Sequence, residues 1–325
     1  MKMLSAKLIA VLVAIYPLTI AVADENGATT DGVFAVHLNL KAFRHTDLGN
    51  RMLEAVKDLA AEEISSDNGD EVLEQLEQTL GFDPIEELQG ITIAGTDFES
   101  PERNLKMVLQ LQKTSGNLEG LLLALPGYES YEHGDHVIHT VAPEDAGRIY
   151  GSIHEKNSGE KQIFVATDRD DVESMLDRAV QSDSDHVLAS EIGQELYQRD
   201  AFAAIRLREL PIDELDLEGP PANIAKLLNG LGLILSNDND QCRIDISMST
   251  KNEREAEQLQ QLAQGIVAMI GLARAEDQED EELERIHELL QNLKVQREGT
   301  DVEIQLSVPN QVLLEFLREE ADLPL

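Results

Sequence analysis

Phe34-Ala35-Val36-His37-Leu38-Asn39-Leu40 alternates along its length and reads as a strand, and Ala204-Ile205-Arg206-Leu207 repeats its Ala35-Val36-His37-Leu38 portion far down the chain. What surrounds each copy decides the fold. After the first, the pattern predicts two helices, about 48–63 and 71–80, the second with Leu73, Leu76 and Leu80 on one face at helical spacing. Gly81-Phe82-Asp83-Pro84 closes that helix, and a turn over 85–88 leads to a strand at Ile91-Thr92-Ile93-Ala94. Alternation of Met107, Leu109 and Leu111 predicts another strand over 106–112, followed by a short helix over 117–125. Two strands, 136–141 and 148–155, are joined by the Pro143-Glu144-Asp145 turn. The strand 162–166 then runs into a helix near Asp168, whose carboxylate suits a cap.

The second half repeats this order. Strands around Ile234 and Ile246 match those around Ile93 and Leu109, and Ile304 with its following helix matches Phe164 with its own. Val36 and Ile93 are 57 residues apart and Ile205 and Ile234 only 29, so one helical insertion in the first half accounts for the difference. The match breaks down where the first half has the hairpin around His139 and the second has two helices, about 253–274 and 280–293. The expected fold class is α/β of the α+β type: two similar units, each an antiparallel sheet with helices packed on one face. The expected segments are residues 1–23, a flexible 24–32, a first unit 33–185 and a second unit 186–325.

Residues 1–23 read as a secretory signal. Lys2 and Lys7 precede the apolar run from Leu8 to Ile15, Pro17 breaks it, and Ala21-Val22-Ala23 suits a signal peptidase, which places the cut after Ala23. A permanent anchor needs about 20 uninterrupted apolar residues. Beyond the signal, the most apolar stretch, Gly265 to Ala273, is nine residues and too short to span a bilayer. The sequence therefore points to an exported, soluble chain, periplasmic or secreted, with no transmembrane segment once the signal is removed.

Cleavage removes two lysines and no acid, taking the net charge from −37 to −39 over the remaining 302 residues. A chain so negative repels nucleic acid and anionic lipid, leaving cations and basic proteins as electrostatic partners. An envelope protein and cations are the partner classes this reading allows. The bland account of the charge is hydration of the surface. One cysteine, Cys242, excludes an intramolecular disulfide, and its setting in Gln241-Cys242-Arg243-Ile244 predicts a packed residue at a strand start. Trp is absent and aromatic content is 4%, which removes the stacking platforms of many sugar and single-strand binders.

The order of strand and helix, with Gly81-Phe82-Asp83-Pro84 ahead of Leu88-Gln89-Gly90-Ile91-Thr92-Ile93-Ala94-Gly95, resembles a class of signal-bearing exported bacterial proteins with no established activity. The likeness covers mainly Val33 to Val180. It implies a fold and a compartment and no chemistry.

The densest cluster of chemically able side chains runs from Tyr128 to His139, with His154 beyond, so His133, His136, His139 and His154 are the candidate metal ligands. His136 and His139, three apart on a strand, point to opposite faces. A turn between Glu144 and Asp145 would place His154 opposite Asp135, with His139 on their face but about 13 Å along the strand. Ligands of one ion lie about 2 Å from it, so this geometry favours an exposed polar strand over a metal. His287-Glu288-Leu289-Leu290-Gln291 begins like a helical zinc-protease motif, but Gln291 stands where the second histidine is needed. Asp238-Asn239-Asp240 and Asp67-Asn68-Gly69-Asp70 look like pieces of calcium loops without the closing ligands and read as turns.

The chain carries no nucleophile elbow, phosphate loop or dinucleotide fingerprint, and Gly230-Leu231-Gly232 reads as a helix end followed by a turn. No catalytic residue and no cofactor is assigned. The acidic run from Glu276 to Glu282 reads as a solvated tip between helices, with docking of a basic partner as the sharper alternative. The functional expectation is a non-enzymatic binding or scaffolding module outside the cytoplasm. Its alternative is a hydrolase or metal-dependent enzyme whose site would lie between His133 and His154.

Overall fold

The structure, a computed structural model, describes residues 34–54, 84–97, 104–112, 127–142, 147–182, 187–188, 201–208, 220–276 and 292–320. The signal with its cut after Ala23, the segment 24–32, the helices expected over 71–80, 117–125 and 280–293, the His287 motif and Asp67-Asn68-Gly69-Asp70 lie outside those residues.

Apolar–polar alternation builds most of the molecule. The strands are β1 (Phe34–Leu38), β2 (Leu88–Gly95), β3 (Lys106–Leu111), β4 (Glu129–His133), β5 (His136–Val141), β6 (Ile149–Glu155), β7 (Lys161–Ala166), β8 (Ala201–Arg208), β9 (Leu228–Asp238), β10 (Gln241–Thr250), β11 (Lys294–Glu298) and β12 (Asp301–Pro309). They form one sheet in the order β11-β12-β10-β9-β8-β1-β2-β3-β7-β6-β5-β4. Every neighbouring pair is antiparallel. The two matching stretches of the sequence meet at its centre, where Val36 pairs with Ile205. Outward from that seam the order is β1-β2-β3-β7-β6 on one side and β8-β9-β10-β12-β11 on the other.

The described helices are α1 (Leu40–Arg44), α2 (Pro84–Glu87), α3 (Arg169–Ser182), α4 (Pro220–Ala225), α5 (Glu253–Glu276) and α6 (Asn310–Glu320), and residues 47–54 are also helical. α3 starts as the sequence predicts: the Asp168 carboxylate accepts a hydrogen bond from the Asp170 amide at 2.9 Å. Its Val172, Met175, Leu176 and Ala179 form one helical stripe that packs on Phe164, Ile138 and Val108, all at most 2% exposed. This defines the α3 face of the sheet.

The opposite face carries Cys242 and Met248 of β10 and Val302 of β12. There Ala256 and Leu259 of α5 pack on Met248 and Val302, while Leu314 of α6 and Phe43 of α1 join Cys242, Phe202 and Ala203. The described helices thus lie on both faces of the sheet, where the sequence predicted one. Period-two strands with apolar residues on both sides, such as β9 with Leu231, Leu233 and Leu235 against Ile234, offer both faces a core.

Three local expectations change. Pro84–Glu87 is a helical turn. β4 and β11 are strands that the sequence reading did not separate from their neighbours, because Glu129–His133 and Lys294–Glu298 are polar edge strands with weak alternation. Gly230-Leu231-Gly232 lies inside β9 and ends no helix: Gly230 pairs with Ser249 and Gly232 with Ser247. Asp238-Asn239-Asp240 is the expected turn, with Asn239 left-handed at φ 56°.

Candidate functional site

The histidines the sequence nominated fall into two groups. Ile138 pairs with Ser152, one residue away from the expected register, and that slip puts His136 opposite His154 on the α3 face. His136 Nε2 and His154 Nδ1 are 3.0 Å apart, within hydrogen-bond distance, with the tautomer deciding which ring donates. His154 also stacks on Phe164, with centroids 6.5 Å apart. His133, opposite His136 on β4, reaches α3, with Nε2 3.0 Å from Asp177 Oδ1 and Nδ1 3.7 Å from Glu173 Oε2. His139 turns to the opposite face, where it contacts the Tyr128 hydroxyl at 2.9 Å. The expectation that His139 shares a face with His154 is therefore corrected, while its separation from His136 holds.

The arrangement ties the β4–β5 hairpin to α3. Arg169 of α3 sits 4.8 Å over the Tyr131 ring and bonds Glu173 at 2.7 Å. Alongside, the Tyr131 hydroxyl and then Arg148 donate to Glu129 and hold its carboxyl below the usual carboxylate range. Among the described residues, no three His, Cys, Asp or Glu side chains converge as ligands of one metal ion.

A second place combines chemistry that sequence reading missed. Along β8, β9, β10 and β12 the residues facing α5 and α6 are mainly apolar, while Arg206, Arg208, Ser247, Ser249, Asp301 and Glu303 share the α3 face beyond the buried Ala204 and Ile234. Register aligns those polar residues in two rows across the sheet. Arg206 pairs with Gly232, Gly232 with Ser247, and Ser247 with Glu303. One step along, Arg208 pairs with Gly230, Gly230 with Ser249, Ser249 with Asp301, and Asp301 with Glu298. Together these residues line a cavity of about 530 Å³.

Each row has a guanidinium bank, a floor of glycine and hydroxyl, and a carboxylate bank. The glycines leave room for the serines beside them: Ser247 Oγ sits against the place where a Cβ on Gly232 would stand, and Ser249 Oγ lies 2.8 Å from where one on Gly230 would be. At one end, Asp245 is nearly buried and held by Arg243, whose Nε and Nη2 both donate at 3.0 Å. Among the described residues no helix packs over these rows, whereas α3 covers the same face of the first half with a closed apolar core.

Fold and site together define a mixed helix and strand protein on one antiparallel sheet, with a polar-lined cavity over part of one face among the described residues. No family model and no curated protein matches the sequence. Among solved structures it is similar to three crystal forms of TP0453, a bacterial protein, each at 9% identity. Form IV aligns over 88% of this chain and 92% of that one at a TM-score of 0.42, and form III over 92% and 100% at 0.38. Form I covers 92% and 98% at 0.37. At such scores the likeness is a loose similarity in the course of the chain, and neither fold nor function is taken from it.

Proposed function

We propose that the chain is an exported, non-enzymatic binding module whose ligand lies in the cleft formed by β8, β9, β10, β12 and β11. The signal read in residues 1–23 motivates the export. One observation carries the binding: a sheet face that is packed with Phe164, Val108 and Ile138 in the first half presents Arg, Gly, Ser and carboxylate rows in the second. Polar side chains fixed on a rigid sheet are preorganised for recognition, because little side-chain and backbone order remains to be imposed on binding.

The strand orders on either side of the β1–β8 seam support reading the sheet as a duplicated unit, with the two domains expected from the sequence as its halves. On that reading the cleft has a simple origin. The helix after β7 covers the α3 face, and the helix after β12 went to the other face, leaving the equivalent surface of the second half to evolve for a ligand.

Incubating the full chain with a library of small soluble metabolites and peptides, then analysing what it retains, tests the proposal. A compound recovered with unchanged mass, and lost from an Arg206→Ala/Arg208→Ala variant, agrees with it. Time-dependent conversion of the compound, or retention of nothing, overturns it.

A further inference from the structure

We infer that the outer side of α5 is a docking face for an amphipathic, basic helix of a protein partner. The inference is independent of the cleft, which lies on the other face of the sheet.

α5 carries two apolar stripes. Ala256, Leu259, Ala263 and Val267 follow one another at spacings of three and four, and the first two close on Met248 and Val302 of the sheet. A second stripe, Leu262, Gly265, Ile266, Met269 and Leu272, recurs at helical spacing on another side of the same helix. There Ile266 is 37% exposed, Met269 64% and Leu272 66%. One stripe is enough to seat a helix on a sheet. A second that stands in water stabilises nothing until another surface covers it.

The make-up of this stretch is that of a contact surface. Residues 258–273 contain no Asp, Glu, Lys or Arg, although 27% of the chain is charged. Gln258, Gln261 and Gln264 stand exposed beside the stripe. Gly265 has open space where a side chain would stand, so a second helix can come close to the backbone there. Spacings of three and four on one helix match those of a partner helix, whose side chains enter the gaps between them.

Charge selects among occupants. Glu253, Glu255 and Glu257, with Arg254, precede the stretch, and after it Arg274 is outnumbered by the six acids from Glu276 to Glu282. The whole chain carries −37. A second copy brings the same charge to the contact, and an anionic lipid surface is repelled. Lys and Arg flanking the apolar side of a partner helix are instead attracted before the stripes touch. Among the described residues no helix is long and apolar enough to cross a bilayer.

The probe is a fluorescent peptide of about five helical turns, with leucines at helical spacing and lysines elsewhere, whose anisotropy is followed as the full chain is added. It binds, and three changes each weaken it about tenfold or more: shuffling the peptide so that its leucines lose their period, replacing its lysines by glutamates, and Met269→Gln/Leu272→Gln in the protein. Both substituted side chains are exposed, so this variant keeps the wild-type urea midpoint. Ser247→Ala/Ser249→Ala, in the cleft, leaves peptide binding unchanged, which separates this face from the ligand site proposed above. Equal affinity for the shuffled peptide, or for the Met269→Gln/Leu272→Gln protein, overturns the inference. So does a dimer in sedimentation that the same variant dissolves, which gives the face to a second copy, or adsorption to phosphatidylcholine vesicles lost in that variant, which gives it to lipid. A thiol introduced by Met269→Cys that iodoacetamide reaches no faster than Cys242 would show the face covered by the chain itself, and overturns it as well.

Discussion

The Cys242 thiol has no exposed surface, and burial pushes its pKa up to about 11 from an ordinary 9.0. Its neutral form is therefore favoured by the fold. Below pH 9 thiols are protonated in both folded and unfolded chains and nothing changes; between pH 9 and 11 only the unfolded chain releases the proton, and stability falls. Two pKa units correspond to about 2.7 kcal/mol, so a loss on the order of 2–3 kcal/mol is expected across that window. Urea titrations of the wild type and Cys242→Ala should show it, the variant falling less steeply with pH; parallel slopes would place the burial elsewhere. For the same reason iodoacetamide at pH 8 should modify the native thiol far more slowly than the urea-unfolded one, as mass spectrometry would read directly.

Among the elements, α3 and the hairpin of β4 and β5 depend on a single apolar contact more than on their ion pairs. Phe164 has no exposed surface and supports both the α3 stripe and the His154 ring. Phe164→Ala should cost about 3–5 kcal/mol by chemical denaturation. His133→Ala, which breaks only partly exposed contacts to Asp177 and Glu173, should cost under about 1 kcal/mol. A reversal of that order would make the hairpin's attachment electrostatic.

Elements were also what the sequence made legible. Alternation located β1, β3, β7, β8 and β10, and the Asp168 cap located α3, because each is half-buried or capped by local chemistry. The histidine register was not legible, since it depends on how the chain turns between β5 and β6 and one residue flips every side chain. The cleft was hidden for a related reason. Arg206, Ser247 and Glu303 each look like the solvent side of an ordinary strand, and only the pairing of β8, β9, β10 and β12 brings them into line. Gly230 and Gly232 misled directly, because paired glycines usually mark a helix end and here they make room in a strand.

At the scale of the molecule, continuity through β1 and β8 couples the halves. Val36–Ile205 and the pairs beside it carry the sheet from one half to the other. The halves should therefore unfold in one calorimetric transition. Ile205→Pro, which removes a ladder donor from a central strand, should lower the midpoint strongly or split the transition in two. Two transitions in the wild type would show that the seam does not couple them. On the surface of the molecule the cleft is the proposed seat of a ligand. Amide NMR of the full chain titrated with the compound it retains from the library of metabolites and peptides tests that most directly. Shifts confined to Gly230, Gly232, Ser247, Ser249, Asp301 and Glu303 and their neighbours are predicted; shifts centred on the His133–His154 row, or none at all, would contradict it.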